Sequence, residues 1–238
     1  MNEVLITKAT TRILADADLA VAPEPAWFDP AWWRQRAAVR AELGGRGQAL
    51  LIDAPFGALV LRRFQRGGLV ARVAADRYFW LGDDRSRSFR EFRLLQQLSA
   101  RGLPVPVPVG ASLERRGPFY RAGLLTRFIP DARELAGLAA EMSLCQWREL
   151  ARTLDDFFSV GLQHPDLNAR NLLLDAQGRW HLLDLDRARL TAGAADGAGM
   201  RRRLARSLEK LAAPGWRPGF QATVGKDLSI AAKGGQAR

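Results

Sequence analysis

Three side chains within one short stretch have the chemistry needed for phosphoryl transfer: Asp166, Asn171 and Asp184. A carboxylate can position an attacking hydroxyl and accept its proton, and amide and carboxylate oxygens are ligands that Mg²⁺ accepts. Phosphoryl transfer asks a protein mainly for positioning and charge neutralisation. The residues therefore favour a phosphotransferase that uses ATP and Mg²⁺, with Asp166 as the catalytic residue and Asn171 and Asp184 as metal ligands.

A β-hairpin is predicted to bring the two metal ligands together. Residues 172–174 and 180–183 are apolar runs separated by a turn at residues 175–178. A lone Asp in a loop is most often a turn or cap residue. Asp184, however, lies inside an apolar run, where an unpaired carboxylate would be costly. The combination favours a site over three unrelated turn residues.

The two histidines are predicted to have structural roles. His164 is expected to tie the loop through a hydrogen bond, and His181 is expected to lie on a strand face. Two histidines and one cysteine make a zinc site improbable.

Composition limits the classes of protein and partner. The chain has 238 residues, which suits one large domain or two lobes, and a formal charge of +11 carried mostly by arginine. Nucleic acid, an acidic membrane surface or an anionic substrate would each suit that charge. The lone Cys145 excludes a disulfide framework and favours a reducing compartment. There is neither an apolar stretch of membrane-spanning length nor a signal-peptide pattern, so we expect a soluble or peripheral cytoplasmic protein.

Hydrophobic periodicity predicts strands in the first half and helices in the second. Residues 1–30 are expected to be irregular, and residues 31–43 to form a helix that ends at Gly44-Gly45. Two strands at residues 49–53 and 57–64 would form a hairpin-like unit. The remaining predictions are a helix over 88–100, an extended segment over 102–108, a strand over 120–129 and helices over 146–160 and 200–211. Weak order is expected from about residue 214.

The motifs resemble those of a known superfamily. His164-x-Asp166-Leu167-x-x-x-Asn171 and Leu183-Asp184-Leu185-Asp186 resemble the catalytic loop and the magnesium-binding motif of the protein-kinase-like superfamily. The wider pattern is similar to bacterial lipopolysaccharide kinases, and most of all to the Kdo (3-deoxy-D-manno-octulosonic acid) kinases. It is carried by residues 62–69, 76–78, 87–98, 102–106 and 166–174. The resemblance implies a bilobal α+β fold, with a β-rich N-lobe over residues 1–126 and a helical C-lobe over residues 127–238.

The resemblance also assigns nucleotide-binding residues in the first half. Gly44, Gly45 and Gly47 would form the glycine-rich phosphate loop, between a helix and a strand. Arg62 occupies the place of the strand lysine that holds the nucleotide phosphates, and Glu91 would be its carboxylate partner on the following helix.

Several interpretations remain open at this point. Ser88-x-x-Glu91 is also a capping box, which would need no nucleotide. Arg63 is a neighbouring candidate, although strand alternation would point it to the opposite face. Residues 66–77 supply further arginines that could form a basic rim for the acceptor. Helix 200–211 could dock on anionic phospholipid or, as we favour, cover the core with its leucine stripe, and the two roles are compatible.

The function implied by the resemblance is that of an ATP-dependent kinase. Its acceptor would be a Kdo hydroxyl, the 4-hydroxyl, of lipid A-linked Kdo in the lipopolysaccharide inner core. The partner would be a Kdo-lipid A precursor at the cytoplasmic face of the inner membrane, with the protein bound peripherally and no nucleic acid involved. The alternatives are a core heptose kinase, an antibiotic phosphotransferase, and a non-catalytic basic binding module with a degenerate kinase fold.

Overall fold

The computed structural model describes residues 3–19, 21–43, 49–64, 77–226 and residue 228. The chain divides into two compact units, Met1–Ile129 and Pro130–Arg238, and each is described by itself. The sequence predicts a boundary between the two lobes at residue 126. The functional roles assigned to each lobe remain predictions.

The described part of the first unit is built on an eight-stranded antiparallel sheet. Its order is β1-β2-β7-β8-β5-β4-β3, and the short β6 pairs with β8. The strands are β1 (Glu3–Lys8), β2 (Thr11–Asp16), β3 (Val39–Leu43), β4 (Ala49–Ala54), β5 (Gly57–Arg63), β6 (Tyr78–Phe79), β7 (Pro108–Arg116) and β8 (Phe119–Arg127).

The hairpin of β4 and β5 and the strand β8 confirm the predictions for those segments. Gly57 begins β5 with a φ of 120°, a backbone conformation that favours glycine and allows the tight reversal after Ala54. Leu50 and Leu61 from the hairpin and Leu125 from β8 are buried in a common core. Strand β8 ends at Arg127, shortly before Pro130.

One long helix packs against β7 and β8. It is α2 (Arg87–Ala100), which confirms the predicted helix, and it buries Phe89, Phe92, Leu95 and Leu98. The side chains of Trp27, Phe28 and Trp33 belong, together with Val109 of β7, to the same core cluster as Leu50, Leu61 and Leu125.

The predictions for the N-terminal region are wrong. Residues 1–30 were expected to be irregular, but β1 and β2 form an antiparallel hairpin, and β2 pairs with β7. Helix α1 spans only Pro30–Gln35, and residues 39–43 form β3 instead of continuing it. Ala37 has a φ of 53°, which ends the helical path, and β3 then pairs with β4.

The described part of the second unit consists of four helices and two small sheets. The helices are α3 (Leu135–Leu138), α4 (Leu144–Ser159), α5 (Gly197–Leu211) and α6 (Arg217–Ala222), so the helices predicted near 146–160 and 200–211 are confirmed. Strands β11 (Leu172–Leu174) and β12 (Trp180–Leu182) form the predicted hairpin, and β9 (Arg133–Glu134) adds to it. Strands β10 (Leu162–Gln163) and β13 (Arg189–Leu190) pair separately. None of the helices in the described ranges is long and apolar enough to cross a bilayer.

The segment after residue 214, for which weak order was expected, contains a packed helix. Phe220 of α6 is fully buried and meets Trp147 of α4 edge-on, with 5.9 Å between ring centroids. Trp216 is buried as well and packs on Phe220. Gly219 lies so close to the Trp147 ring that a Cβ there would be 2.3 Å from the Trp147 Cδ1. Two aromatic side chains therefore anchor residues that composition alone assigns to a tail.

Candidate active site

The loop between β10 and β11 holds Asp166 through amide hydrogen bonds to its backbone. The Nδ2 groups of Asn168 and Asn171 both donate to the Asp166 carbonyl oxygen, at 2.9 and 3.2 Å. The Asn168 side chain also accepts from the Arg170 backbone N–H at 2.9 Å, which closes a tight turn. The Asp166 side chain is 47% exposed. The loop is thus fixed while its carboxylate can reach a substrate.

The hairpin of β11 and β12 connects the segment of Asn171 to that of Asp184. Leu172 pairs with Leu182, and the Leu183 N–H donates to the Asn171 carbonyl at 2.8 Å. Asp184 has a φ of 56°, an uncommon left-handed conformation for a residue other than glycine and one that recurs at functional sites. Its side chain is exposed although the neighbouring Leu185 is buried. The Asp184 side chain therefore faces solvent, which the apolar run alone does not indicate.

Arg187 is a site residue that the sequence did not reveal. Its Nη1 lies 3.4 Å from Oδ2 of Asp166, and 68% of its side chain is exposed. Exposed pairs of this kind contribute little to stability, so an incoming anion or hydroxyl could displace either partner. In the sequence, the only indication that Arg187 belongs to the site is its position directly after Asp186. Asp186 itself, which stands where protein kinases have glycine, is half-buried.

Side chains of helix α5 bind the backbone of the segment that carries Asp166. The Ser207 hydroxyl accepts from the Ala169 N–H at 3.0 Å, and the His164 N–H points to the Met200 sulfur at 3.2 Å. The His164 ring lies 3.2 Å from the Leu183 carbonyl through its Nε2. Burial lowers the pKa of His164, and the hydrogen bond to Leu183 only partly counters this effect. A neutral, buried imidazole that joins two segments has the structural role predicted for it.

The turn of the hairpin is held by a buried carboxylate. Asp175 accepts from the backbone N–H groups of Gln177 and Arg179 at 2.9 Å, and its Oδ2 lies 2.8 Å from Nε2 of His181. Burial alone would raise the pKa of Asp175. The hydrogen bonds from His181 and from the backbone and side chain of Arg179 outweigh burial and lower the pKa to about 2. His181 therefore supports the turn from strand β12.

The first unit contains the expected ion pair between a strand and a helix. The guanidinium of Arg62 on β5 bonds to the carboxylate of Glu91 on α2. Glu91 is 2% exposed and Arg62 25% exposed. The alternative capping box is wrong, because the helix begins after Ser86 and the Ser88 hydroxyl donates to the Ser112 carbonyl at 2.8 Å.

Arg63 lies on the face opposite Arg62, as strand alternation predicts. It lines a cavity of about 350 Å³ together with Phe28, Ser112 and Gly123. Its role in nucleotide binding has no support from this position.

The glycine-rich loop was predicted at Gly44, Gly45 and Gly47, which lie outside the described residues. These glycines are flanked by strands β3 and β4, in which Leu43 pairs with Ala49, and not by a helix and a strand as expected. Residues 66–76 of the suggested basic rim also lie outside the described part.

The predicted metal ligands are compatible with Mg²⁺. Among the described residues there is no group of three or more His, Cys, Asp or Glu side chains that could hold a metal. Asn171 and Asp184 would supply one amide oxygen and one carboxylate. Mg²⁺ commonly takes one or two protein oxygens and completes its shell with water and substrate phosphates. Because Asn171 donates its Nδ2 to Asp166, its Oδ1 remains the atom suited to a cation.

A strand arginine paired with a helix glutamate, followed in the chain by an Asp-Asn loop and an Asp-bearing hairpin, defines a protein-kinase-like phosphotransferase of α+β class. The model of the lipopolysaccharide kinase (Kdo/WaaP) family matches residues 30–217. The chain belongs to this family.

Its relatives include proteins named 3-deoxy-D-manno-octulosonic acid kinase. The chain is 44% identical to one from Stenotrophomonas maltophilia over 202 residues, covering 84% of this chain and 80% of the relative. Identity is 45% to one from Xanthomonas oryzae, covering 77% and 74%. It is 43% to one from Xylella fastidiosa, covering 75% and 72%. The chain is also similar to a solved structure of the yeast RNA Pol II CTD kinase CTDK-1 complex, with a TM-score of 0.41 and 16% identity over 64% of this chain and 46% of that one.

Proposed function

We propose that this chain transfers the γ-phosphoryl group of ATP to the 4-hydroxyl of lipid A-linked Kdo, in assembly of the lipopolysaccharide inner core. Three curated relatives named as Kdo kinases, at 43–45% identity over most of the chain, support this substrate. The structural observation that carries the proposal is the Asp166 carboxylate, half-exposed on a loop whose amides bind its own backbone.

Asp166 is proposed to act directly on the acceptor. Its carboxylate orients the sugar hydroxyl and accepts the proton as the oxygen attacks the γ-phosphorus, while the bond from that phosphorus to the β–γ bridging oxygen breaks and ADP leaves with the electron pair. Arg187, 3.4 Å from that carboxylate, is suited to bind the acceptor's own carboxylate, since Kdo is an acidic sugar. This contact would hold the acceptor beside Asp166.

Asn171 and Asp184 are proposed to hold Mg²⁺. The ion supplies charge neutralisation to the nucleotide phosphates during transfer. The two protein oxygens would fix its place in the second unit, because the Asn171 backbone and the segment before Asp184 are hydrogen-bonded to each other.

In the first unit, Arg62 is proposed to bind the nucleotide phosphates while Glu91 holds its guanidinium in place. An arginine can grip two phosphate oxygens at once, whereas lysine offers a point charge. Gly44, Gly45 and Gly47 are proposed as the phosphate loop that joins β3 to β4.

A membrane-bound acceptor implies a peripheral location at the cytoplasmic face of the inner membrane. The net charge of +11 favours attraction to an anionic leaflet.

The test is incubation with radiolabelled ATP and two acceptors, a Kdo-lipid A precursor and a heptose-bearing core. Label on Kdo, located at the 4-position by NMR of the product, is the expected result. Label on heptose alone would replace Kdo with heptose as the substrate.

Asp166→Ala should lower turnover by at least about 100-fold, the scale of an essential acid–base group. The control is Asp156→Asn, an exposed carboxylate on α4, which should retain wild-type turnover.

A further inference from the structure

Three exposed apolar side chains lie in or next to the strands where β6 pairs with β8. Phe79 is 60% exposed, Leu81 64% and Phe119 36%. Phe79 and Phe119 are directly opposite in the sheet, and their rings meet edge-on with 5.5 Å between centroids. Contiguous exposed apolar groups of this kind mark binding surfaces more often than isolated ones do.

Three arginines surround a small pocket beside this cluster. The pocket has a volume of about 100 Å³ and is lined by Arg77, Arg116, Phe119, Tyr120 and Arg121, whose carbon atoms form almost all of its wall. None of these described lining residues carries a carboxylate. On the same strands, Glu114 is directly opposite Arg121 and accepts from Arg116 at 2.7 and 2.9 Å, while 60% of the Arg116 side chain stays exposed.

Sheet register places the cationic and aromatic groups on one face. Arg116 is directly opposite Phe119, and Phe119 is directly opposite Phe79. Directly opposite residues of an antiparallel pair project to the same side. Guanidinium groups beside outward-facing aromatic rings suit the boundary between lipid phosphates and acyl chains.

Helix α5 is a weaker candidate for the same role. Its apolar stripe of Met200, Leu204 and Leu208 is buried, as the favoured interpretation predicts. Arg201 is paired with Asp155, and its side chain is 18% exposed. The helix therefore offers exposed charge but not an apolar face that could enter a bilayer.

We propose that the arginine–aromatic patch, defined as Arg77, Phe79, Leu81, Arg116, Phe119 and Arg121, docks the protein on an anionic bilayer. Lipid phosphates would bind to the exposed guanidinium groups of the patch, and the side chains of Phe79, Leu81 and Phe119 would enter the headgroup region. The inference deepens the proposed function and rests on it, because a glycolipid acceptor requires the protein to work at a membrane surface.

The experiment is sedimentation of the full chain with phosphatidylcholine vesicles, with and without phosphatidylglycerol. Binding is expected only with the anionic lipid. Arg77→Gln with Arg116→Gln should weaken it by about 30-fold. Arg90→Gln with Arg101→Gln removes the same charge from exposed positions on and after α2 and should have a much smaller effect.

The apolar part has its own matched pair. Phe79→Ser with Leu81→Ser should weaken binding by about tenfold, whereas Val4→Ser with Leu5→Ser on β1 should leave it unchanged. Thermal unfolding checks that each variant is folded. If the apolar double variant is unfolded, the arginine double variant still tests the proposal.

Equal losses in patch and control variants would overturn the inference, as would a larger loss from Arg202→Gln with Arg203→Gln on α5. Equal binding to uncharged vesicles would also overturn it. The vesicle experiment contains neither ATP nor a Kdo acceptor. Its result is therefore independent of whether the proposed kinase activity is found in the phosphorylation assay.

Discussion

Replacing Arg62 by Met should destabilise the protein more than replacing Glu91 by Gln, because the two partners differ in burial. Glu91 is 2% exposed, so Arg62→Met leaves a buried carboxylate with one cation fewer. Removing one partner of a buried pair costs about 3–5 kcal/mol, and the partial exposure of Arg62 favours the lower end, about 3 kcal/mol. Glu91→Gln keeps shape and a hydrogen-bond acceptor and leaves a cation that water can reach, so we expect a loss of about 1 kcal/mol.

Urea unfolding gives these free energies directly, and thermal unfolding gives a second estimate. At this chain length the midpoint should fall by about 6–12 °C for Arg62→Met and by about 2–4 °C for Glu91→Gln. The double variant Arg62→Met with Glu91→Leu should be more stable than Arg62→Met alone, because no buried charge remains at either position.

The matched control is the exposed pair of Arg40 and Asp53, whose side chains are 54% and 53% exposed. Arg40→Met should cost less than about 1 kcal/mol. The reasoning fails if Arg62→Met costs no more than Arg40→Met, or if Glu91→Gln is the more damaging of the two changes at the pair.

Three further variants test other features. Arg187→Gln should raise the KM for the Kdo acceptor about tenfold and leave the KM for ATP nearly unchanged; an equal rise in both would remove its proposed contact. Because the pKa of Asp175 is about 2, below its ordinary value, its ionised form contributes stability above about pH 4 that is lost as pH falls towards about 2. Asp175→Asn should therefore cost about 2 kcal/mol at neutral pH in urea unfolding, and a difference from wild type that persists undiminished near pH 2 would contradict this assignment. Gly219→Ala should cost about 1–3 kcal/mol through overlap with Trp147, whereas Gly137→Ala, which would have nothing within 4 Å of its Cβ, should be close to neutral in the same assay.

The parts of the fold that the sequence predicts correctly are formed by residues that lie close to one another along the chain. The hairpin after Asn171 has its strands and its turn within a dozen residues, and the turn contains Gly178 with a φ of 79°. The ion pair between Arg62 and Glu91 was available only through the family resemblance, because the two residues come together through the packing of α2 on the sheet.

The errors concern segments whose partners are distant. Strand β2 pairs with β7, for example Ile13 with Ser112, and neither segment alone indicates that the other will complete it. Residues 31–43 carry helix-forming residues throughout, but pairing of β3 with β4 outweighs local propensity beyond Ala37. Phe220 lies among small and polar residues, and its burial against Trp147 depends on the position of α4.

Arg62 also determines which reagents can modify this position of the first unit. A guanidinium does not lose its proton under ordinary conditions, so it has no nucleophilic free-base form comparable to that of an amine. Amine-directed acylating probes have no amine to attack at Arg62, because the four lysines of the chain are Lys8, Lys210, Lys226 and Lys233. Lysine-directed reagents would therefore leave this position unlabelled, whereas glyoxal reagents, which condense with guanidinium groups, can reach a side chain that is a quarter exposed.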